Sequence, residues 1–210
     1  MIELYEITEV MNNIDGLSVI VFDLDDTLYS EKEYVRNGYK EIAKIVPQVI
    51  DAERKLWHAF EKNKPAIDVV LKNEGIYSEA LKERCLNIYR NHEPSIHLYA
   101  GVADMLEEIH KSGLDIGIIT DGRPEGQRAK IKALGLNELV DHIIVTDELG
   151  GVEYRKPNKT AFVKMQEIFG MPFEKMCYIG DNIKKDFIAP KILGMKCIWI
   201  RNKDGLYPGL

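Results

Sequence analysis

From residue 114 onward the sequence alternates short, continuous apolar runs with helical stripes, and few folds accept that pattern. The runs are 114–120 (LDIGIIT), 142–146 (HIIVT), 176–180 (MCYIG) and 196–200 (KCIWI). Each is too short for a typical helix and most are rich in Ile and Val, so they read as strands buried on both faces of a parallel sheet. An earlier run, 18–24 (SVIVFDL), follows the turn-like Asp15-Gly16 and is the strongest strand candidate. Between the runs, Val102, Met105, Leu106 and Ile109 fall at helical spacing ahead of Gly113. Ile131 and Leu134 precede Gly135, and Phe162, Met165 and Phe169 precede Gly170, in the same manner. Glycine just past a helical stripe is a common helix stop. The pattern predicts an α/β domain with a Rossmann-like, doubly wound parallel sheet.

Residues 30–97 break the alternation. Val35, Tyr39, Ile42, Ala43 and Val46 form one helical stripe, ended by Pro47, and Leu56, Trp57 and Phe60 form a second. Ile67, Val70 and Leu71 form a third, and Leu81, Cys85, Ile88 and Tyr89 a fourth. With no strand candidate among them, they predict an inserted α-helical cap at 30–97, within a core made of 1–29 and 98–210. A chain of 210 residues has room for one core domain with such an insertion.

Composition narrows the partners. A net charge of -6 argues against a broad nucleic-acid surface, although a single phosphate pocket needs only local charge. The three cysteines, Cys85, Cys177 and Cys197, show no Cys-x-x-Cys or Cys/His clustering, so neither a disulfide framework nor a zinc site is expected. No apolar stretch reaches the roughly 18 residues that suggest a membrane span. The N-terminal MIELYEITEV is acidic where a signal peptide would be basic. A cytoplasmic monomer or homodimer is the expectation.

Four signals of chemistry follow one another at predicted strand ends. In Asp23-Leu24-Asp25-Asp26-Thr27, alternation along a strand points Asp23 and Asp25 the same way, and two such carboxylates repel without a cation or a shared proton. Ile119-Thr120-Asp121-Gly122 offers hydroxyl and backbone donors to an anion. Arg155-Lys156-Pro157 brings cations that would neutralise phosphate and carboxylate together. Gly180-Asp181-Asn182, with Asp186 five positions after Asp181, offers hard oxygen ligands for magnesium. Each also has an ordinary reading: a solvated turn, a strand-to-helix turn, surface charge, or a helix N-cap with an acid in the first turn.

Together and in this order, the four resemble the haloacid dehalogenase superfamily, whose pattern is Asp-x-Asp-x-Thr, then Ser or Thr, then Lys, then Gly-Asp with a further acid. The resemblance covers the whole chain, and the helical insertion looks like the family's C1-type cap. Asp26 and Asp121 stand where many members have Gly and Asn. The resemblance implies a magnesium-dependent phosphatase in which Asp23 is the nucleophile, forming an aspartyl-phosphate, and Asp25 is the general acid and base. It implies metal binding by Asp23, Asp181, the backbone carbonyl of Asp25 and Asp186, the last directly or as outer support. Thr120, Asp121, Gly122 and Lys156 would hold the phosphoryl group, with Lys156 also offsetting the charge of Asp23. The implied substrate is a small phosphorylated metabolite such as a sugar phosphate or nucleoside monophosphate, not a nucleic acid or a membrane.

Other activities occur on the same plan. A dehalogenase needs no acid two residues after its nucleophile, so Asp25 argues against it. A phosphonatase would need a Schiff-base lysine in the cap, where Lys40, Lys44, Lys55 and Lys62 all read as solvated. A phosphomutase would use the same core residues, and an idle binding protein would keep them without turnover. Tyr29, Arg36, Arg90, His92 and Arg123 are the candidates for substrate specificity.

Overall fold

A computed structural model of the chain describes residues 1–206; positions 207–210 of the expected core segment lie outside the described residues. Among the described residues, six strands form one wholly parallel sheet: β1 (Ile2–Leu4), β2 (Val19–Phe22), β3 (Asp115–Thr120), β4 (His142–Val145), β5 (Met176–Gly180) and β6 (Lys196–Ile200). Their order is β1-β6-β5-β2-β3-β4. The α/β fold read from the sequence is present, with one addition. Strand β1 is three residues long and too short to show a period; it exists because its backbone pairs with β6, Ile2 opposite Ile198.

The order places the functional end of the sheet. From β2 the chain builds outward through β3 and β4, then returns to the other side of β2 for β5 and β6. That reversal opens a crevice beyond the carboxyl ends of β2, β3 and β5, where open α/β sheets bind ligands. The register aligns these ends, with Phe22 opposite both Ile118 and Ile179. All four residues of β2 are buried, as a central strand covered on both faces requires.

Helices follow in chain order: α1 (Glu31–Ile45), α2 (Ala52–Glu61), α3 (Ala66–Asn73), α4 (Glu79–Asn91), α5 (Val102–Lys111), α6 (Pro124–Ala133), α7 (Thr160–Phe169) and α8 (Ile188–Leu193). Local chemistry marks their ends. Helix α6 opens on Pro124, whose missing N–H costs nothing in the first turn. The side chain of Ser78 caps α4 by accepting from the Leu81 N–H at 3.1 Å. Helix α7 stops at Gly170, with φ of 66°. It packs closely on the sheet because β3 carries Gly117: a Cβ there would lie 2.9 Å from the Met165 sulfur. No described helix is long and apolar enough to cross a membrane. All three cysteines are buried and unpaired.

The chain forms two compact units, Met1–Glu31 with Ile96–Leu210, and Lys32–Ser95. The second has its own apolar core, with Val35, Tyr39, Ile42, Leu56, Val70, Leu71 and Cys85 buried. Gly38 on α1 has the Tyr89 ring of α4 against it, so that a Cβ would sit 2.5 Å from a ring carbon. Gly38→Ala is expected to lower stability by about 1–3 kcal/mol through overpacking, more than the roughly 1 kcal/mol of helix propensity it adds. Urea unfolding followed by fluorescence checks this, since Trp57 reports the helical unit and Trp199 the sheet; an unchanged or raised midpoint would refute it.

Candidate active site

Asp23 stands one residue beyond β2, where its N–H still donates to the Ile179 carbonyl at 2.8 Å. The chain then turns sharply at Asp26, which adopts a left-handed φ of 55°. The turn is held by the Asp26 carboxylate, which accepts the N–H of Glu31 at 2.9 Å and that of Leu206 at 2.6 Å. With Asp26 buried and so engaged, its part is to shape the loop that presents Asp23 and Asp25.

Lys156 reaches the site from the loop after β4. Its ammonium donates to Asp23 Oδ1 at 2.5 Å and to the Tyr178 hydroxyl at 2.8 Å, and forms an ion pair with Asp186 Oδ1 at 2.8 Å, an oxygen with no hydrogen-bond partner among the described residues. The preceding segment, Gly150 to Tyr154, folds into a short 3-10 turn at Val152–Tyr154. Asp121 fixes where that loop lands: its Oδ1 accepts the Lys156 N–H and the Thr146 hydroxyl, both at 3.0 Å, and its Oδ2 accepts from Lys185 Nζ at 2.9 Å. Asp186 is held by the N–H of Asn182, 2.9 Å from Oδ2. The backbone carbonyl of Asp181 accepts from the Trp199 indole at 2.7 Å. Oxygens of Asp23, Asp181 and Asp186 come within 4.8 Å of one another.

A second cluster holds Asp25. The Tyr29 hydroxyl and Lys130 Nζ reach its Oδ1 at 2.5 and 2.7 Å, and Gln127 Nε2 reaches its Oδ2 at 2.9 Å. The same Gln127 nitrogen donates to Thr120 Oγ1 at 2.5 Å. Burial pushes the Asp25 carboxyl up, but Lys130, with the Tyr29 and Gln127 bonds, outweighs it and leaves the group below its ordinary value.

These groups surround a cavity of about 440 Å³. Of the residues singled out from sequence, Asp23, Asp25, Asp121, Gly122, Lys156 and Asp181 line it. Thr120 and Asp186 are fully buried and do not line it: Gln127 covers the Thr120 hydroxyl, and Asp186 sits behind Lys156. Gln127, Lys130 and Lys185 line the cavity and were not singled out. Their polar side chains look like the solvated faces of helix and turn. The spacing of Gln127 and Lys130, one helical turn apart beside the core residue Ile131, is the one signal that they share a face. Among the specificity candidates, Tyr29 touches Asp25. Arg36, Arg90 and His92 belong to the helical unit, where Arg36 stacks on Trp57 at 4.0 Å and His92 packs on Tyr34.

Comparison with known proteins agrees with this geometry. The family model of haloacid dehalogenase-like hydrolases matches residues 20–200. The chain belongs to that family. A glyceraldehyde 3-phosphate phosphatase from Methanocaldococcus jannaschii is 29% identical over 205 residues, 90% of this chain and 86% of that protein. An (S)-2-haloacid dehalogenase from Pseudomonas putida is 24% identical over 95% of this chain and 90% of that protein. Among solved structures, the HAD-hydrolase YfnB from Bacillus subtilis, bound to magnesium, superposes with a TM-score of 0.66 at 20% identity, covering 87% of this chain and 86% of that one.

In this member of the haloacid dehalogenase-like hydrolases, the donor set suits a hard divalent cation. Three buried carboxylates converge, and oxygen is their sole donor atom. Burial is the largest influence on Asp23, followed by the opposing pull of Lys156 and the push of Asp186, and its carboxyl is raised to about 7. Burial, then Asp23 and Asp186, raise Asp181 to about 9. Lys156 stays an ammonium, since Asp186 and Asp23 overcome the effect of its burial. The surplus negative charge is what a bound dication would neutralise.

Two expectations follow from this balance. The folded protein without metal holds protons on Asp23 and Asp181 that the unfolded chain releases near its ordinary carboxylate value of 3.8. Stability is therefore fully present below that value and is lost as pH rises toward 7 to 9. Thermal unfolding in chelator should show a falling midpoint from about pH 5 to 9, with magnesium raising it most at the alkaline end; a flat or rising metal-free midpoint would contradict the charge balance. Gly180 marks the second. A Cβ there would lie 2.6 Å from Asp186 Oδ2, so Gly180→Ala should displace that carboxylate and weaken the magnesium-induced rise. An undiminished rise would show that Asp186 has no part in holding the ion.

Proposed function

We propose that the protein is a magnesium-dependent phosphatase that hydrolyses a small phosphorylated metabolite through a phosphoenzyme on Asp23. The observation that carries this reading is the placement of two differently treated carboxylates on one cavity. Asp23 is bonded through Oδ1 to Lys156, while Asp25 is held through both oxygens by Tyr29, Lys130 and Gln127. A halide leaves without a proton, whereas an alkoxide does not, so a positioned second acid suits ester chemistry. The identity to a glyceraldehyde 3-phosphate phosphatase over most of both chains supports the same reading.

Asp23, Asp181 and Asp186 would hold the metal, with the backbone carbonyl of Asp25. Bound magnesium would supply positive charge to the phosphoryl oxygens and to Asp23. In the first step a carboxylate oxygen of Asp23 forms a bond to phosphorus, the ester P–O bond breaks, and Asp25 gives its proton to the departing alkoxide. Tyr29, Lys130 and Gln127 favour the carboxylate form of Asp25. A phosphate dianion beside it favours the protonated form by like-charge repulsion. In the second step Asp25 takes a proton from water, the oxygen attacks phosphorus, and the Asp23–phosphorus bond breaks to release phosphate.

Asp25→Asn keeps the side-chain size and removes the proton transfer, which is typically worth about 10²–10⁴ in rate. The variant should turn over alkyl phosphates more slowly by that factor and lose less on the first step with an aryl phosphate. Phosphate should then accumulate on Asp23 and appear in intact-mass spectra after rapid quenching, and Asp23→Asn should show none. Unimpaired turnover of alkyl phosphates by Asp25→Asn would remove Asp25 from the mechanism. A panel of phosphorylated metabolites, with glyceraldehyde 3-phosphate among them, identifies the substrate.

A further inference from the structure

We propose that Glu31 reads the alcohol portion of the substrate and selects phosphate monoesters whose alcohol carries a hydroxyl near the ester oxygen, as a phosphorylated polyol or sugar fragment does. This rests on the phosphatase reading and deepens it. Outside the metal cluster, the cavity is lined by the carboxyl groups of Asp25, Asp26, Glu31 and Asp121. Asp25, Asp26 and Asp121 each accept hydrogen bonds from the protein. The half-buried Glu31 carboxyl has no hydrogen-bond or ion-pair partner among the described residues; only its backbone N–H is used, by Asp26 Oδ1 at 2.9 Å. A carboxyl that has lost water without gaining a partner carries a free-energy cost, which a ligand would relieve.

Position decides which part of a ligand Glu31 meets. In the proposed first step the leaving oxygen lies opposite Asp23 and beside Asp25, so the alcohol extends past Asp25. The charges that act most on the Glu31 carboxyl are those of Asp25 and of Lys130, which bonds Asp25 Oδ1 at 2.7 Å. Glu31 therefore stands at the Asp25 end of the cavity, while Asp121, Lys156 and Lys185 are joined to one another at the Asp23 end. Other polar groups at the Asp25 end are engaged: Gln127 Nε2 bonds Asp25 and Thr120, and the Tyr29 hydroxyl bonds Asp25. Burial, then Asp25, push the Glu31 carboxyl up to about 8 against the pull of Lys130, so it keeps its proton at neutral pH. A neutral carboxyl offers a donor and an acceptor side by side. A hydroxyl offers the same pair, so the two groups match reciprocally.

The test uses the full chain with magnesium and compares glycerol 3-phosphate with n-propyl phosphate, which has the same carbon chain without the hydroxyls; p-nitrophenyl phosphate reports phosphatase activity as such. The wild type should favour glycerol 3-phosphate in kcat/KM on the order of 10-fold, the worth of one well-placed hydrogen bond. Glu31→Met keeps the length of the side chain and removes its oxygens, and should bring that ratio to within about 3-fold of one. Glu31→Gln keeps a donor and an acceptor and should restore most of the preference. An acid in the first turn also favours a helix. If supporting the start of α1 were the whole role of Glu31, Glu31→Met would lower the thermal midpoint and leave the ratio as in the wild type, and that result overturns the proposal. If Glu31→Met does not fold, Glu31→Ala serves for the same comparison. A wild type that hydrolyses p-nitrophenyl phosphate but shows no preference between the alkyl esters overturns the proposal and leaves the phosphatase reading standing. A wild type that hydrolyses none of these esters overturns the phosphatase reading, and the proposal with it.

Discussion

Lys156 is a buried ammonium with three oxygen partners, and the site is built around it. Those partners come from three places in the chain: Asp23 after β2, Tyr178 within β5 and Asp186 in the turn beyond β5. Burying these charges carries a desolvation cost of several kcal/mol per ion, which the mutual attraction recovers only in good geometry. The parallel sheet supplies that geometry by aligning the ends of β2 and β5 in register. The cluster is thus weak evidence for stability and better evidence for chemistry, because an apolar replacement would pack as well. Its remaining surplus of negative charge, on Asp23, Asp181 and Asp186, suits a cation.

Asp121 extends the cluster outward. One carboxylate joins β3's end to Thr146, to the backbone of the Lys156 loop and to Lys185. Burial pushes Asp121 up, while Lys156, Lys185 and the Lys156 N–H bond together hold it below the ordinary carboxylate range. It remains an anion whose task is to place two lysines. A segment with two glycines at unusual φ, Gly150 and Gly151, can bring Lys156 inward because its end is pinned here. On the other side of the cavity, Gln127 links Asp25 to Thr120, so the orientation of one depends on the other.

Much of the fold was legible because burial on both faces leaves a plain mark: continuous Ile- and Val-rich runs separated by helical stripes with glycine stops. Strand β1 left no such mark, since three residues carry no period and its pairing partner lies almost two hundred positions away. At the site, Asp23, Asp181 and Asp186 could be singled out by residue type at strand ends. Gln127, Lys130 and Lys185 could not, because a polar side chain on a helix or turn reads as solvated until the helix is seen to face a cavity. Asp26 is a reverse case: it looked like one acid among several, and its backbone turn and two N–H contacts give it a structural task.

The sequence by itself determined the local preferences: which segments form strand or helix, where glycine ends them, and which residue types stand at each strand end. These are short-range properties, set by side-chain volume, branching and period. The tertiary structure alone decided the partners: that Lys156 is buried against Asp23, Tyr178 and Asp186, that Thr120 is covered by Gln127, and that Lys185 faces the cavity. Those outcomes depend on distances between groups far apart in the chain, and on which of them lose water together. A hydrogen bond or ion pair has no sequence period, so only the folded backbone, bringing β2, β3 and β5 to a common edge, selects which ones form.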